Sequence, residues 1–200
     1  MVQATADMAA FCFCVVDRTL SAESSKNTQQ LQPSFQSPFT STLCALFVSF
    51  KITRNHELRG CIGTFSEAPL GEQLCRYAKS AAFEDGRFQP ITAPELQTLS
   101  CSVTLLSNFE PAAHCYDWVI GTHGVRIKVL VKGTALTATF LPQVMIEQAW
   151  DHKKTIEQLL RKSGYKGSIT EEVLRSIQTE RYLGSVCEVS YADYKKLYAN

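Results

Sequence analysis

The chain has 200 residues, of which 45% are hydrophobic and 20% are charged, so a sizeable core can form and extensive disorder is excluded. The 20 Lys and Arg residues nearly balance the 19 Asp and Glu residues, and the net charge of +1 creates no overall field toward nucleic acid or an anionic membrane. No apolar run approaches the roughly 18 residues that a membrane span needs. We therefore treat residues 1–200 as one folding unit and expect no membrane association.

The cysteines indicate the cellular compartment. Eight of them are scattered along the chain. The apolar residues 8–16 do not match a secretory signal, since Asp7 precedes them and no basic region leads them. Free thiols in a reducing compartment follow, which places the protein in the cytoplasm, the nucleus or both. Cys12 and Cys14 form only a C-x-C pair on a predicted helix, where residues two apart face different ways. No metal site and no cofactor is predicted.

The first half of the chain predicts a helix, a loop, a hairpin and a second helix. Apolar residues recur at helical spacing over residues 8–20, and residues 21–42 are rich in Ser, Gln and Asn, which predicts a long polar surface loop. Residues 44–52 form a β-favouring run, after which turn residues lead to a second short strand that starts near Leu58. A helix then begins near Pro69 and ends near Asp85.

The second half predicts more strands than helices. A brief helix is predicted near residue 95, before a strand over residues 101–105 in which apolar and polar residues alternate. Three further strands are predicted over residues 118–121, 125–131 and 135–140. Helices are predicted over residues 151–163 and 171–177, before a last strand at 182–191. Because strands and helices do not alternate strictly, the predicted fold class is α+β, with a mixed, largely antiparallel sheet flanked by helices.

The hexapeptide Leu58-Arg59-Gly60-Cys61-Ile62-Gly63 carries the chemistry that stands out most. Its two glycines predict a tight turn, because glycine permits positive φ or a close approach to another chain or a ligand. If Cys61 is partly exposed near Arg59 or a histidine, its thiolate is favoured and the residue can act as a nucleophile. The alternative is that Cys61 is a small buried residue and the glycines only permit close packing.

Four further polar residues are candidates for a site. Asp85 and Arg87 lie two apart after a helix, where an ion pair that braces a turn competes with an anchoring role for a substrate. Arg126 alternates with apolar neighbours in a strand, so it is either solvated or lines a groove. His123 lies in a predicted hairpin loop and is a candidate general base, with a plain surface histidine as the alternative.

The hexapeptide, followed by Thr64-Phe65, resembles the signature of the AMMECR family, named after a chromosomal region linked to Alport syndrome, midface hypoplasia and elliptocytosis. Further similar segments follow in order, at residues 81–88, 101–103, 121–127, 140–144 and 159–162. The resemblance implies a single AMMECR-type domain, built as two unequal α/β parts that share a groove with the signature near it. It implies no established reaction, and distant members carry an aspartate at the position of His123.

Two functions remain open from the sequence. The first is an enzyme-like protein with a Cys61-centred groove for a small anionic or acyl-like substrate, with Cys61 and His123 as catalytic residues. In that reading the substrate is bound by Arg59, Gly60, Gly63, Asp85, Arg87 and Arg126. The second is a regulatory module that binds RNA or a protein partner through a basic surface, for which the candidate residues are Arg54, Arg59, Arg76, Lys79, Arg161 and Lys162.

Overall fold

The structure is a computed structural model that describes residues 3–25 and 42–198. Its helices and strands follow one another along the chain in this order: α1 (Ala6–Ser25), β1 (Leu43–Ile52), β2 (Leu58–Pro69), α2 (Leu70–Phe83), a 3₁₀ helix (Ala93–Thr98), β3 (Leu99–Pro111), β4 (His123–Val131), β5 (Thr134–Phe140), α3 (Pro142–Glu147), α4 (His152–Lys162), α5 (Glu171–Ser176), β6 (Gln178–Ser190) and α6 (Tyr191–Tyr198).

The strands form one six-stranded sheet in the order β2-β1-β3-β6-β4-β5. The pairings of β1 with β2, of β4 with β5 and of β4 with β6 are antiparallel. Helices and an antiparallel sheet in this proportion confirm the predicted α+β class. No helix among the described residues is both long and apolar enough to span a membrane.

The chain divides into two compact units, each with its own core. Unit 1 comprises Met1–Leu105 and Ser185–Asn200, and unit 2 comprises Leu106–Gly184. In unit 1, α1 and α2 pack on one face of the sheet, where the ring of Phe13 stacks on Tyr194 with centroids 5.6 Å apart. In unit 2, α4 packs its buried face, including Ile156 and Leu159, into a core with β4.

Local sequence explains where the helices of unit 2 start. Asp151 caps α4 because its carboxylate accepts the backbone N–H of Lys154 at 2.7 Å. Thr170 caps α5 in the same way, through a hydrogen bond from the N–H of Val173 at 3.3 Å. These caps satisfy N–H groups that a helix leaves without an intrahelical partner.

The structure differs from the sequence predictions at several segments. The hexapeptide is not a turn, because Leu58 to Gly63 belong to β2. Residues 118–121 form a turn rather than a strand, in which Gly121 has a φ of 79°. Helix α1 continues to Ser25, into the predicted loop, whose residues 26–41 lie outside the described part of the chain. The last described residues form α6 (Tyr191–Tyr198), where the sequence predicts a final strand up to residue 191, and α3 is a helix that the sequence analysis does not predict.

Candidate functional site on strand β2

The two glycines of the hexapeptide serve close packing. A Cβ at Gly60 would collide with the backbone carbonyl oxygen of Ala81 in α2, and one at Gly63 would collide with the carbonyl oxygen of Leu46 and the ring of Phe47 in β1. Neither glycine has a positive φ. The structure therefore shows the close approach of backbones, one of the two roles that the sequence left open for these glycines.

Cys61 has backbone groups that point away from β1, and a short turn after α2 binds both. Its N–H donates to Oδ2 of Asp85 at 2.9 Å, and its carbonyl oxygen accepts from Nη2 of Arg87 at 3.1 Å. The carboxylate and the guanidinium thus occupy the acceptor and donor positions that a neighbouring strand would supply. Since β2 ends the sheet, the pair caps the edge of the sheet at this residue.

The Asp85–Arg87 pair is tightly bonded within itself. Oδ1 of Asp85 accepts from Nε of Arg87 at 2.9 Å, and Oδ2 accepts from Nη2 at 2.7 Å, a two-pronged geometry that is strong for charged groups. The hydrogen bond from Arg87, and the one from Cys61 N–H, hold the pKa of Asp85 well below its usual range. The Asp85 side chain is 5% exposed, whereas that of Arg87 is 57% exposed.

The thiol of Cys61 lies on the sheet face opposite α1 and α2. Ser49, its cross-strand partner in β1, donates a hydrogen bond from its hydroxyl to Sγ at 3.1 Å. Burial raises the pKa of the thiol, and the Ser49 hydroxyl and the Arg87 charge oppose that rise without reversing it. Cys61 is therefore mainly a neutral thiol at pH 7, in contrast to the activated thiolate that a nucleophile requires.

Arg59 is aimed by an irregularity in the strand. Phe50 pairs with Gly60 and Lys51 pairs with Leu58, so Arg59 is an extra residue in β2, as in a β-bulge. Its guanidinium donates to the carboxylate of Glu95 in the 3₁₀ helix. It also donates to the carbonyl oxygen of Gln89 at 2.9 Å. The bulge therefore sends this side chain toward the segment that follows Arg87.

Phe88 lies beside both arginines. The Cζ atom of Arg59 is 6.0 Å from the centre of its ring, and that of Arg87 is 5.3 Å away. Guanidinium groups at such distances are attracted to the aromatic face. We call Arg59, Cys61, Asp85, Arg87 and Phe88 together the β2 site.

His123 and Arg126 belong to unit 2, where each has a local partner. Nδ1 of His123 accepts the N–H of Val119 at 3.0 Å, so this ring nitrogen braces the turn that leads into β4. Arg126 pairs with Glu180 of β6 at 2.7 Å and has a side chain that is 42% exposed. The structure thus brings together the predicted site residues of unit 1, and these two residues are bonded within unit 2.

The cysteines are free thiols, all eight of them. Within residues 3–25 and 42–198, no three or more His, Cys, Asp and Glu side chains form a group that could hold a metal ion.

Sequence reasoning missed three members or neighbours of the site. Phe88 lies in the quoted segment 81–88 but carried no role. Ser49 is a polar residue in the apolar run of β1, and only the hairpin register places it opposite Cys61. Glu95 forms a capping box with Thr92, a local signal that marks the start of a helix but not its ion pair with Arg59.

The fold and the site define an α+β protein in which a bulged, glycine-containing edge strand is capped by a buried aspartate and an exposed arginine. The sequence model of the AMMECR1 family matches residues 9–187, so the chain belongs to that family. An uncharacterized protein of Schizosaccharomyces pombe is 39% identical over 188 residues, covering 92% of each chain. An uncharacterized protein of Arabidopsis thaliana is 36% identical over 199 residues, covering 97% of this chain and 89% of its own.

A solved structure shares the fold. The crystal structure of an uncharacterized protein from Pyrococcus horikoshii superposes with a TM-score of 0.73 and covers 95% of each chain. Its sequence identity is 20%, so this likeness concerns the fold alone.

Proposed function

We propose that this protein is a non-covalent binding module, in which the β2 site recognises an anionic group, a carboxylate or a phosphate, on a protein partner. The observation that carries the proposal is the geometry of Arg87. Its guanidinium is fixed by the buried carboxylate of Asp85 and by the carbonyl of Cys61, yet the side chain is 57% exposed. A guanidinium that is already ordered loses little entropy when it binds an anion.

Arg87 retains donors for a ligand. Its bonds to Asp85 and to Cys61 use Nε and Nη2, and Nη1 has no hydrogen-bond partner among the described residues. Phe88 lies against the same guanidinium and supplies an apolar surface beside it. An anion attached to an apolar or aromatic group matches this combination of donor and ring.

The charges at the site favour a protein partner over RNA. Asp85 and Glu95 neutralise the two arginines pairwise, so the site lacks the excess of positive charge that phosphate-backbone binding uses. Arg161 is one of the residues in the predicted basic surface, and its Nη1 donates to the carbonyl oxygens of Tyr165 and Gly167 at 3.0 Å each. These bonds engage part of its guanidinium within unit 2.

A titration with small anions tests this function. We expect acetate and methyl phosphate to shift the side-chain Nε–H signal of Arg87 and the amide signal of Phe88 in ¹⁵N spectra of the full chain. The Arg87 signal is itself absent in Arg87→Gln, so wild type and variant are compared at the Phe88 amide, whose anion-dependent shift this variant should remove. Arg76→Gln is the matched control, because Arg76 is an exposed arginine that lies over the ring of Tyr77 at 5.5 Å and is not one of the residues of the β2 site. Equal responses of wild type and Arg87→Gln would refute the proposal.

The second candidate function is an enzyme with Cys61 as nucleophile. The hydrogen bond from Ser49 and the charge of Arg87 favour it, because both stabilise a thiolate. Burial acts in the opposite direction and is the largest influence on the pKa of the thiol. The rate of Cys61 alkylation as a function of pH tests this second function: an apparent pKa below about 7.5 would support the nucleophile, and one above the free value of about 8.5 would refute it.

A further inference from the structure

Strand β5, which ends the sheet at the edge opposite to β2, differs from β2 in how its edge is protected. At Cys61 of β2, the outward N–H and carbonyl groups are both bonded to the turn after α2. Strand β5 reads Thr-Ala-Leu-Thr-Ala-Thr-Phe and contains no charged residue and no proline, which are the usual protections of an edge strand.

The hairpin between β4 and β5 determines which groups of β5 point outward. It closes with a two-residue turn, in which Lys132 has a φ of 48° and Gly133 a φ of 82°, as in a type I′ turn. Val131 and Thr134 flank this turn as a hydrogen-bonded pair. Pairs then alternate along the hairpin, so the N–H and carbonyl groups of Ala135, Thr137 and Thr139 point away from β4.

One contact supports this assignment independently. The carbonyl oxygen of Thr139 accepts a hydrogen bond from Nζ of Lys162 in α4 at 2.9 Å, so this oxygen is bonded to a group outside β4. The backbone groups of Ala135 and Thr137 make no such bond with the described residues, and both residues are exposed. Two consecutive outward-facing residues of β5 therefore offer their donors and acceptors to another strand.

We propose that the edge of β5 binds an extended, acidic segment of a partner protein, which adds to the sheet as a further strand. The charges around the edge select this occupant. Lys128 is exposed on the neighbouring strand, directly opposite Thr137, and Lys132 is exposed in the turn at one end of β5. Lys162 lies at the other end of β5. A second copy of β5 would bring the same lysines together, and like charges across an interface disfavour that pairing.

This inference concerns unit 2 alone and is independent of the β2 site. Short side chains at Ala135 and Thr137 leave room for side chains of an added strand on the same face. Affinity would come from main-chain hydrogen bonds, and the preference for acidic sequences would come from the lysines.

The test uses the ¹⁵N-labelled full chain and an acetylated, amidated peptide of sequence Glu-Val-Thr-Val-Thr-Val-Glu. We expect hydrogen exchange at the amides of Ala135 and Thr137 to slow about tenfold when the peptide is present at ten times its Kd. The amide of Leu136, which faces β4, should show no comparable change. A peptide with Lys in place of both Glu residues is the matched ligand control, and we expect it to bind at least about tenfold more weakly at low salt.

Two sets of variants separate backbone pairing from charge. Thr137→Pro removes an outward N–H without removing a bond to β4, so the fold should persist and binding of the acidic peptide should be lost. The double variant Lys128→Glu with Lys132→Glu should reverse the preference, so that the Lys peptide binds better than the Glu peptide. This second variant keeps the test valid if the proline substitution unfolds the chain.

Three results would overturn the proposal. The first is unchanged exchange at Ala135 and Thr137 with either peptide. The second is equal binding of both peptides by wild type. The third is a dimer in analytical ultracentrifugation in which these two amides are already protected without any peptide, because a second copy would then occupy the edge.

Discussion

Replacing Asp85 with asparagine is the sharpest test of the Asp85–Arg87 pair that caps the edge of β2 at Cys61. Asp85→Asn keeps the shape of the side chain but leaves one oxygen in place of two, so it can accept from the N–H of Cys61 or from the guanidinium of Arg87 but not fully from both. Its NH₂ group then faces another donor. An unsatisfied buried donor costs about 1–3 kcal/mol, and the lost charge-assisted bonds add to this.

Solvent around Arg87 limits the total effect, because that side chain is 57% exposed and can be rehydrated. We therefore expect Asp85→Asn to lower the free energy of unfolding by about 2–3 kcal/mol. For a chain of this length, that corresponds to a fall in Tm of roughly 4–12 °C. Urea unfolding followed by circular dichroism measures the first quantity, and faster amide exchange at Cys61 shows that the local bond is lost.

The pH dependence gives the same variant a second readout. The ion pair holds the pKa of Asp85 below the value of about 3.9 for an unfolded aspartate, so the folded state binds fewer protons near that pH. The stabilisation is therefore fully present above about pH 4 and is lost as the pH falls through the folded pKa. Asp85→Asn should lack this part of the acid sensitivity. If the free energy of unfolding of Asp85→Asn lies within about 0.5 kcal/mol of the wild-type value, and its dependence on acid pH is unchanged, the stabilising role of the Asp85–Arg87 pair is refuted.

The remaining predictions concern packing, the thiol and a buried tyrosine. Gly60→Ala should lower the free energy of unfolding in urea by about 3 kcal/mol or more, because the added Cβ would collide with the backbone of Ala81. Gly86→Ala is the control, because a Cβ there has no atom within 4 Å, and it should change the free energy of unfolding by less than about 0.5 kcal/mol. Equal effects of the two substitutions would contradict the close packing at Gly60. Ser49→Ala should raise the alkylation pKa of Cys61 further, since the hydroxyl lowers the pKa of the thiol; an unchanged pH profile would show that this bond is absent. Tyr182→Phe should cost about 1–2 kcal/mol in thermal unfolding, because its hydroxyl is buried and donates to a carbonyl at 3.1 Å; a neutral result would contradict that bond.

The elements with a clear period were predictable from the sequence. Residues 44–52 and 151–163 read correctly because their apolar residues and caps point to the same structure. Strand β3 was predicted too short, since its first eight residues are buried on both faces and show no alternation in burial. Residues 118–121 contain strand-favouring residues, but a positive φ at Gly121 and the hydrogen bonds of a turn override that preference.

The end of the chain carried a signal that was not used. The Ser190 hydroxyl accepts the N–H of Asp193 at 3.1 Å and donates to its carboxylate at 2.7 Å, which is a helix-start pattern with an acidic residue three positions on. Tyr191 and Tyr194 follow at helical spacing and pack against Phe13. The start of α6 directly after β6 could therefore have been predicted from its capping residues.

The site itself was only half accessible to sequence reasoning. The hexapeptide and the Asp85–Arg87 pair were recognised as unusual, and the ion pair was one of the two roles considered for them. Their mutual contact was not, because the bond between Cys61 and Asp85 spans 24 positions along the chain and depends on β2 being an edge strand. Whether a strand lies at the edge of a sheet depends on the topology of the whole fold, which local sequence patterns do not encode.

The titration of the Asp85 carboxyl group measures the central claim most directly. Carbon-detected NMR of the ¹³C-labelled chain follows the side-chain carboxyl signal as the pH is lowered. We predict that Asp85 stays ionised well below the pH at which ordinary aspartates take up a proton, and that Arg87→Gln moves its midpoint upward. A midpoint near the ordinary value of about 3.9 in the wild-type protein would show that the carboxylate does not hold the strand and the arginine together.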